Sequence, residues 1–299
     1  MLTPFGVTLR KLRLDKQMRL LDLARALGHS SSYVSAIETG RKPIPDGYVQ
    51  SVAGVMKLST AEAAELQRSA DRTREEVAVA DLDEPKKELV AEFARKVSTF
   101  DERQLERIKR SWVFKSDGSE PFNRRRRGLL VAPASYDKLW NAADTVRSAL
   151  VPDDQIYAPV DEIVESKLGA FFEGYCFDVL EEHEMRNEEG RAIPSTNTIE
   201  IRNDVYQAAC DGEPRPRFTL AHELGHFLLH RHVAMPRSSD DHPIYRDAEW
   251  QADTFAGAFL MPRRHLARFD SIRTAASMCG ISVRAAEVMW GKYRERGYV

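Results

Sequence analysis

Residues 219–230 read TLAHELGHFLLH, and no other stretch constrains the fold of this chain as tightly. His222, Glu223 and His226 have the spacing H-E-x-x-H, which in a helix sets two imidazoles one turn apart on the same face, able to reach one ion. Leu220, Leu224, Phe227 and Leu228 fall on another side and predict a buried face. Glu223 then lies about 100° round the helix from His222. That places it beside the metal position rather than within bonding distance, where a base for a metal-activated water should stand. Zinc lowers the pKa of such a water toward about 7, and a carboxylate takes its proton as it attacks a polarised peptide carbonyl.

Two histidines do not complete a hydrolytic zinc site; a third protein ligand is needed while one position stays open. The downstream run RDAEWQADTFAGAFLMP supplies a candidate. Glu249 and Asp253 are four residues apart on one helical face, and Ala252, Phe255, Ala256 and Phe259 form an apolar stripe on another. Glu249 is the expected third ligand. Asp253, one turn on, is expected to accept the free ring N–H of a ligand histidine and fix its tautomer. H-E-x-x-H followed by E-x-x-x-D is the gluzincin order. An oxyanion also needs a donor, and His230, His232, His242, Tyr245 and Tyr206 are candidates among which the sequence does not choose. His, His, Glu sites accept manganese as well as zinc, so Zn2+ is the default and Mn2+ the second choice.

The N-terminal seventy residues carry a different signal. GVTLRKLRLDKQMRLLDLARALGHSSSYVSAIETGRKPIP contains three short helical patterns. Val7, Leu9, Leu12 and Leu14 give the first an apolar side, and Leu20, Leu23, Ala24 and Leu27 the second. Gly28 ends the second helix, Ser30 is placed to cap the third, and Tyr33, Val34 and Ile37 give that helix a side to pack. Gly40, Pro43 and Pro45 stop it. In a helix-turn-helix of this kind the second helix of the pair enters the major groove by its N-terminal residues. Ser31, Ser32, Tyr33 and Ser35 are therefore expected to face the bases, with Arg41 and Lys42 on the phosphates.

Charge divides along the same line. The net charge of -2 hides a split: residues 1–70 hold ten basic and six acidic residues (+4), residues 151–299 seventeen and twenty-five (-8). A basic head on an acidic body fits nucleic-acid contact at one end only. With 42% hydrophobic and 30% charged residues, the chain reads as globular. It contains no apolar run of the roughly 18 residues needed to span a bilayer and no apolar signal core, which places it in the cytoplasm. Cys176, Cys210 and Cys279 are far apart and form no C-x-x-C pair, so buried free thiols are expected.

Between the two signals, helical character continues over 59–80 through Ala61, Ala64, Leu66 and Ala70. Leu89, Phe93, Val97, Leu105, Ile108 and Trp112 then form an amphipathic pattern that suits core packing or a homodimer seam. KSDGSEPFNRRRRGLLVAPAS has the composition of a linker, with Arg124 to Arg127 a solvated, phosphate-contacting or protease-sensitive run. Beyond Pro262, SIRTAASMCGISVRAAEVMWGKYRERGYV again reads helix, turn at Gly280 and helix, with Ser282 as a cap; packing against the body is its favoured role over DNA binding.

The run LGHSSSYVSAIETGRKPIP resembles the XRE, lambda repressor-like family, in which an arginine of the first helix pairs with the glutamate ending the third; Arg13 and Glu38 hold those places. RFTLAHELGHFLLH with EWQADTFAGAFLMP is similar to the ImmA/IrrE family of metallopeptidases over roughly residues 130–299. That resemblance implies zinc held by His222, His226 and Glu249, a base at Glu223, and an edge strand in NTIEIRND through which an extended substrate pairs. Several members of that family cleave XRE-type repressors. The expected organisation is α+β: a lambda repressor-like helix-turn-helix domain over 1–70, a helical connector over 71–120, and a zincin-like domain with a small β-sheet and a helix-turn-helix-like tail over 121–299. The expected function is a DNA-binding transcriptional regulator with zinc endopeptidase activity that cuts a repressor or itself, in control of stress, phage or mobile-element genes. Its expected partners are DNA, a protein substrate and a second copy of the chain. The rival reading is a non-proteolytic DNA-binding regulator whose zincin-like domain senses metal or ligand, and a third is an antitoxin-like partner protein.

Overall fold

A computed structural model describes residues 2–73, 131–231 and 243–299. All of the connector expected over 71–120 except 71–73, the linker up to residue 130 with its four arginines, His232 and His242 lie outside the described residues.

The N-terminal unit is all helical: α1 (Pro4–Asp15), α2 (Leu20–Leu27), α3 (Ser31–Glu38), α4 (Tyr48–Val55) and α5 (Thr60–Thr73). Short side-chain signals set the boundaries. The Thr3 hydroxyl accepts from Gly6 N–H with Pro4 in the first turn, and the Ser30 hydroxyl accepts from Tyr33 N–H at the start of α3. Between α2 and α3 the chain reverses at Gly28, whose φ of 73° is open to glycine without strain. Phe5, Leu9, Leu12, Leu23, Val34, Ile37, Val52 and Leu66 fill the core. One detail of the sequence reading is corrected: Val7 and Leu14 point to solvent, and Phe5 completes the buried face of α1. Thr3 starts the helix early enough for Phe5 to fall one turn ahead of Leu9. Ala61 and Ala64 of α5 are likewise exposed, whereas Leu66 and Ala70 are buried.

The larger unit is α+β. Its helices are α6 (Tyr136–Leu150), α7 (Val160–Glu165), α8 (Glu182–Met185), α9 (Asn203–Cys210), α10 (Pro214–Leu229), α11 (Ala248–Leu260), α12 (Ile272–Cys279) and α13 (Val283–Glu295), and its strands are β1 (Cys176–Leu180), β2 (Gly190–Ile193) and β3 (Thr198–Arg202). The strand order is β1-β3-β2, with β1 parallel and β2 antiparallel to β3. This corrects the expected edge strand. NTIEIRND forms the central strand, with Ile199 paired to Phe177 on one side and Ala192 on the other. Alternating isoleucines announce a strand with one buried face, but they carry no count of its neighbours. The edge strands are β1 and β2.

Helix α10 carries the H-E-x-x-H residues and packs along α11, the helix with Glu249. Gly225 makes their contact close: a Cβ there would lie 3.2 Å from both the Cα and the carbonyl oxygen of Ala252. The tail packs inward. Gly280 turns it with φ 62°, Ser282 caps α13, and Tyr293 OH donates to Met261 O at 2.7 Å while its ring meets Trp140 edge-on. The fully buried Arg217 of α10 ties the turn down by donating to Gly280 O at 3.0 Å and to Ala158 O at 2.8 Å. No helix among the described residues is long and apolar enough to cross a membrane.

Candidate metal centre and helix-turn-helix face

Three donors converge where α10 passes α11. His222 Nε2 and His226 Nε2 lie 2.9 Å apart, and each is 3.3 Å from an oxygen of Glu249. Donors bound at about 2.1 Å around a tetrahedral zinc are about 3.4 Å from one another, so the two ring nitrogens and the Glu249 carboxylate are close enough to share one ion. Among the described residues, these three form the one group of His, Cys, Asp or Glu side chains close enough to share an ion. Asp253 stands one turn beyond Glu249, and its Oδ1 is 2.8 Å from His222 Nδ1. That contact leaves Nε2 of His222 directed at the shared position, as expected of a carboxylate behind a ligand histidine.

The electrostatics favour a cation. Burial opposes charge on His222, but Asp253 and Glu249 outweigh it and push the imidazole up to about 10 in the metal-free chain. The two histidines hold Glu249 far below the usual carboxylate range. Glu223 behaves differently. Burial raises it, and the nearby histidines with the Ala192 N–H only partly offset the rise. A buried carboxyl pushed toward neutrality beside a metal position is suited to take and return a proton.

Strand β2 brings its backbone over Glu223. A Cβ at Gly190 would stand 2.9 Å from Glu223 Cγ and 2.8 Å from Ile201 Cδ1, so only glycine lets the strand lie this close. The sequence reading missed both Gly190 and Ala192, whose signal is faint: one glycine ahead of a short apolar run.

A second histidine contact was also missed. His230 is buried, with Nδ1 3.1 Å from His226 Nδ1 and Nε2 3.3 Å from Gln251 Oε1. Gln251 Nε2 in turn donates to Ala132 O at 2.8 Å and Tyr245 O at 2.9 Å. Burial, reinforced by neighbouring His226, lowers His230 to about 4, so it is neutral near pH 7. Both its ring nitrogens are engaged, which removes it from the oxyanion candidates. Tyr206 leaves as well, being buried with its hydroxyl donating to Glu165 Oε2 at 2.6 Å. Tyr245 is exposed, in the turn before α11.

The residues expected on DNA are found elsewhere. Ser31, Ser32 and Ser35 are buried, and helix α3 lies against β1 of the larger unit. Ser35 Oγ donates to Asp178 Oδ1 at 2.8 Å and accepts from Val179 N–H at 3.0 Å. Ser30 and Ser32 both donate to Glu181. Arg41 grips Asp178 through Nη2 at 2.8 Å and Nε at 3.1 Å, and reaches Glu184 at 2.9 Å. Tyr33 stacks on His29 at a centroid distance of 4.3 Å, half-buried, and Lys42 is exposed. The expected pair of Arg13 with Glu38 is present at 3.0 Å. Arg13 also reaches across to Glu165, which accepts from Leu20 N–H at 2.8 Å. No local motif in the sequence marks the residues through which the two units meet.

An H-E-x-x-H helix bearing a glutamate partner on a second helix, joined to a helix-turn-helix, defines a two-part chain of metallopeptidase type. Residues 181–290 match the peptidase family described as the IrrE N-terminal-like domain, and residues 4–66 match the family described as the helix-turn-helix domain. The N-terminal part is thus similar to a helix-turn-helix domain and residues 181–290 to an ImmA/IrrE-type peptidase domain. No curated protein and no solved structure matches it.

Proposed function

We propose that this chain is a DNA-binding transcriptional regulator with zinc-dependent endopeptidase activity, cutting a repressor or itself. The observation that carries the reading is the convergence of His222, His226 and Glu249 with the buried Glu223 beside them. His222, His226 and Glu249 would hold a zinc or manganese ion, which when bound would supply Lewis acidity at the site. Asp253 fixes the ring of His222, and Glu223 takes a proton from the attacking water and returns it to the leaving amine. Strand β2, an edge strand beside Glu223, pairs with an extended stretch of substrate and so sets the backbone across the site. DNA is read by Ser31, Ser32, Tyr33 and Ser35, with Arg41 and Lys42 on phosphates, from a head spanning 1–70. A connector over 71–120 joins it to the peptidase unit over 121–299, and residues 116–128 are the place for self-cleavage. The seam for a second copy belongs to the connector.

Glu223→Gln tests this reading. The variant should keep its zinc, measured by metal analysis, while losing cleavage of self or partner, measured by intact mass after expression in cells. Parent-like proteolysis in Glu223→Gln would sink the peptidase reading. Absence of any cleavage in the parent, with metal-dependent DNA binding retained, would move the assignment to the non-proteolytic sensor.

A further inference from the structure

Three of the six residues that read DNA in the proposed function, Ser32, Ser35 and Arg41, also hold the two units together. The peptidase side offers carboxylates at Asp178, Glu181 and Glu184, on β1 and the start of α8. Arg41 engages Asp178 with two nitrogens in a fork, the geometry in which arginine also grips a phosphate. The hydroxyls of Ser32 and Ser35 on α3 donate to carboxylate oxygens, where in a groove they would meet base edges. The contact extends to backbone. Strand β1 is an edge strand, and its Phe177 O accepts from Arg10 at 2.9 Å, its Val179 O from Arg41 at 3.1 Å, and its Val179 N–H donates to Ser35. Side chains of the head thereby satisfy an edge that would otherwise be unpaired.

We infer that the acidic corner formed by β1 and the start of α8 is a DNA-mimicking docking surface whose partner is the DNA-reading face of the helix-turn-helix, so that this corner and DNA bind the head in mutual exclusion. This rests on the proposed DNA-binding role of the head. A duplex groove about 12 Å wide must admit α3 by its N-terminal residues. Helix α3 lies against β1, with Ser32 bonded to Glu181 and Ser35 to Asp178 and Val179, so α3 cannot enter a groove while docked. DNA binding therefore requires the head to leave the peptidase unit, and apparent affinity falls by the fraction of molecules that are open.

The test compares the full chain with Asp178→Asn/Glu181→Gln/Glu184→Gln, which leaves every proposed DNA contact and metal ligand intact. Amide exchange is followed at residues 31–38 and 176–180, and binding of a ~30-bp random-sequence duplex at low salt by fluorescence anisotropy. The triple variant should exchange faster at both segments and bind the duplex at least about tenfold more tightly. In the parent, saturating duplex should raise exchange at 176–180. Equal duplex affinity in parent and variant, or duplex binding by the parent with 176–180 still protected, overturns the competition while leaving the head a DNA binder. A variant that opens by exchange yet binds no duplex overturns the DNA-binding reading itself, and the competition with it. Glu181→Lys alone, at a half-buried position, serves as the second variant and should show a smaller shift in the same direction, with zinc retention as the check that the peptidase unit is folded.

Discussion

His226 and His230 face each other through their Nδ1 atoms, 3.1 Å apart, and this contact fixes the proton positions along a chain of three side chains. If His226 presents Nε2 to an ion, its Nδ1 carries the proton and donates to His230. His230 then holds its own proton on Nε2 and donates to Gln251 Oε1. The amide of Gln251 has no freedom to flip, because its nitrogen is committed to two backbone carbonyls. His222 is oriented by a carboxylate and His226 by a neutral imidazole. Removing the imidazole in His230→Ala should weaken zinc affinity by about 10–100-fold, read by competition with a chelator. Gln251→Ala should move affinity in the same direction by less. Unchanged affinity in both would reduce the chain to packing.

The closeness of α10 and α11 predicts a cost at Gly225. Gly225→Ala puts a methyl 3.2 Å from backbone atoms of Ala252, which cannot swing aside as a side chain would. Overpacking of this kind costs about 1–3 kcal/mol. Separating the helices also moves Glu249 away from the two histidines, so thermal midpoint and zinc affinity should fall together. A loss of stability with zinc affinity intact would show that the metal geometry does not depend on this contact.

Glu165 joins the two units from below the docked face. It takes the Arg13 guanidinium, the Leu20 N–H and the Tyr206 hydroxyl, all buried. Glu165→Ala leaves Arg13 with Glu38 as its one carboxylate partner among the described residues and strips Tyr206 of its acceptor. Breaking a buried ion pair from one side costs about 3 kcal/mol or more. Urea unfolding of the variant should show the head melting ahead of the peptidase unit, where the parent unfolds with the two units coupled.

A pH effect follows from His265. Burial, then the charges of Arg147, Arg264 and Arg268, hold this imidazole below its ordinary value. Its Nε2 is buried without a hydrogen-bond partner. A depressed histidine disfavours protonation in the fold. Its contribution is complete above the unfolded value of about 6.5 and is lost as pH falls below it. The melting temperature should therefore drop between about pH 7 and 5, and His265→Gln should flatten that slope. An identical slope in the variant would remove His265 as the cause.

The convergence of the candidate metal residues was legible in the sequence because side chains on a helix obey a fixed spacing. His222, His226, Glu249 and Asp253 each stand where a 3.6-residue period puts them, and their apolar partners Leu224 and Phe255 repeat with the same period. Local capping was legible too, since Ser30 and Ser282 act within three residues of themselves. Contacts made across the chain were not. Nothing near Gly190 says that Glu223 lies beneath it, and nothing near Ser35 says that Asp178 faces it. The central position of β3 was misread for the same reason, because pairing partners are a property of tertiary structure. Charge gave a partial hint: a basic head and an acidic body are matched to DNA and to each other equally well, and the sequence reading drew only the first conclusion.

The sheet has two sides on which another strand could be added, and only one is sealed by the head. While α3 covers β1, an extended polypeptide has a single template, β2, which runs past Glu223. Once the head departs for DNA, Phe177 and Val179 lose the side chains that satisfied their backbone groups, and a second template appears. A molecule seated on DNA would then be more adhesive toward unfolded segments, and toward other copies of itself, than one in free solution. Occupying an operator and gathering protein around it become linked events.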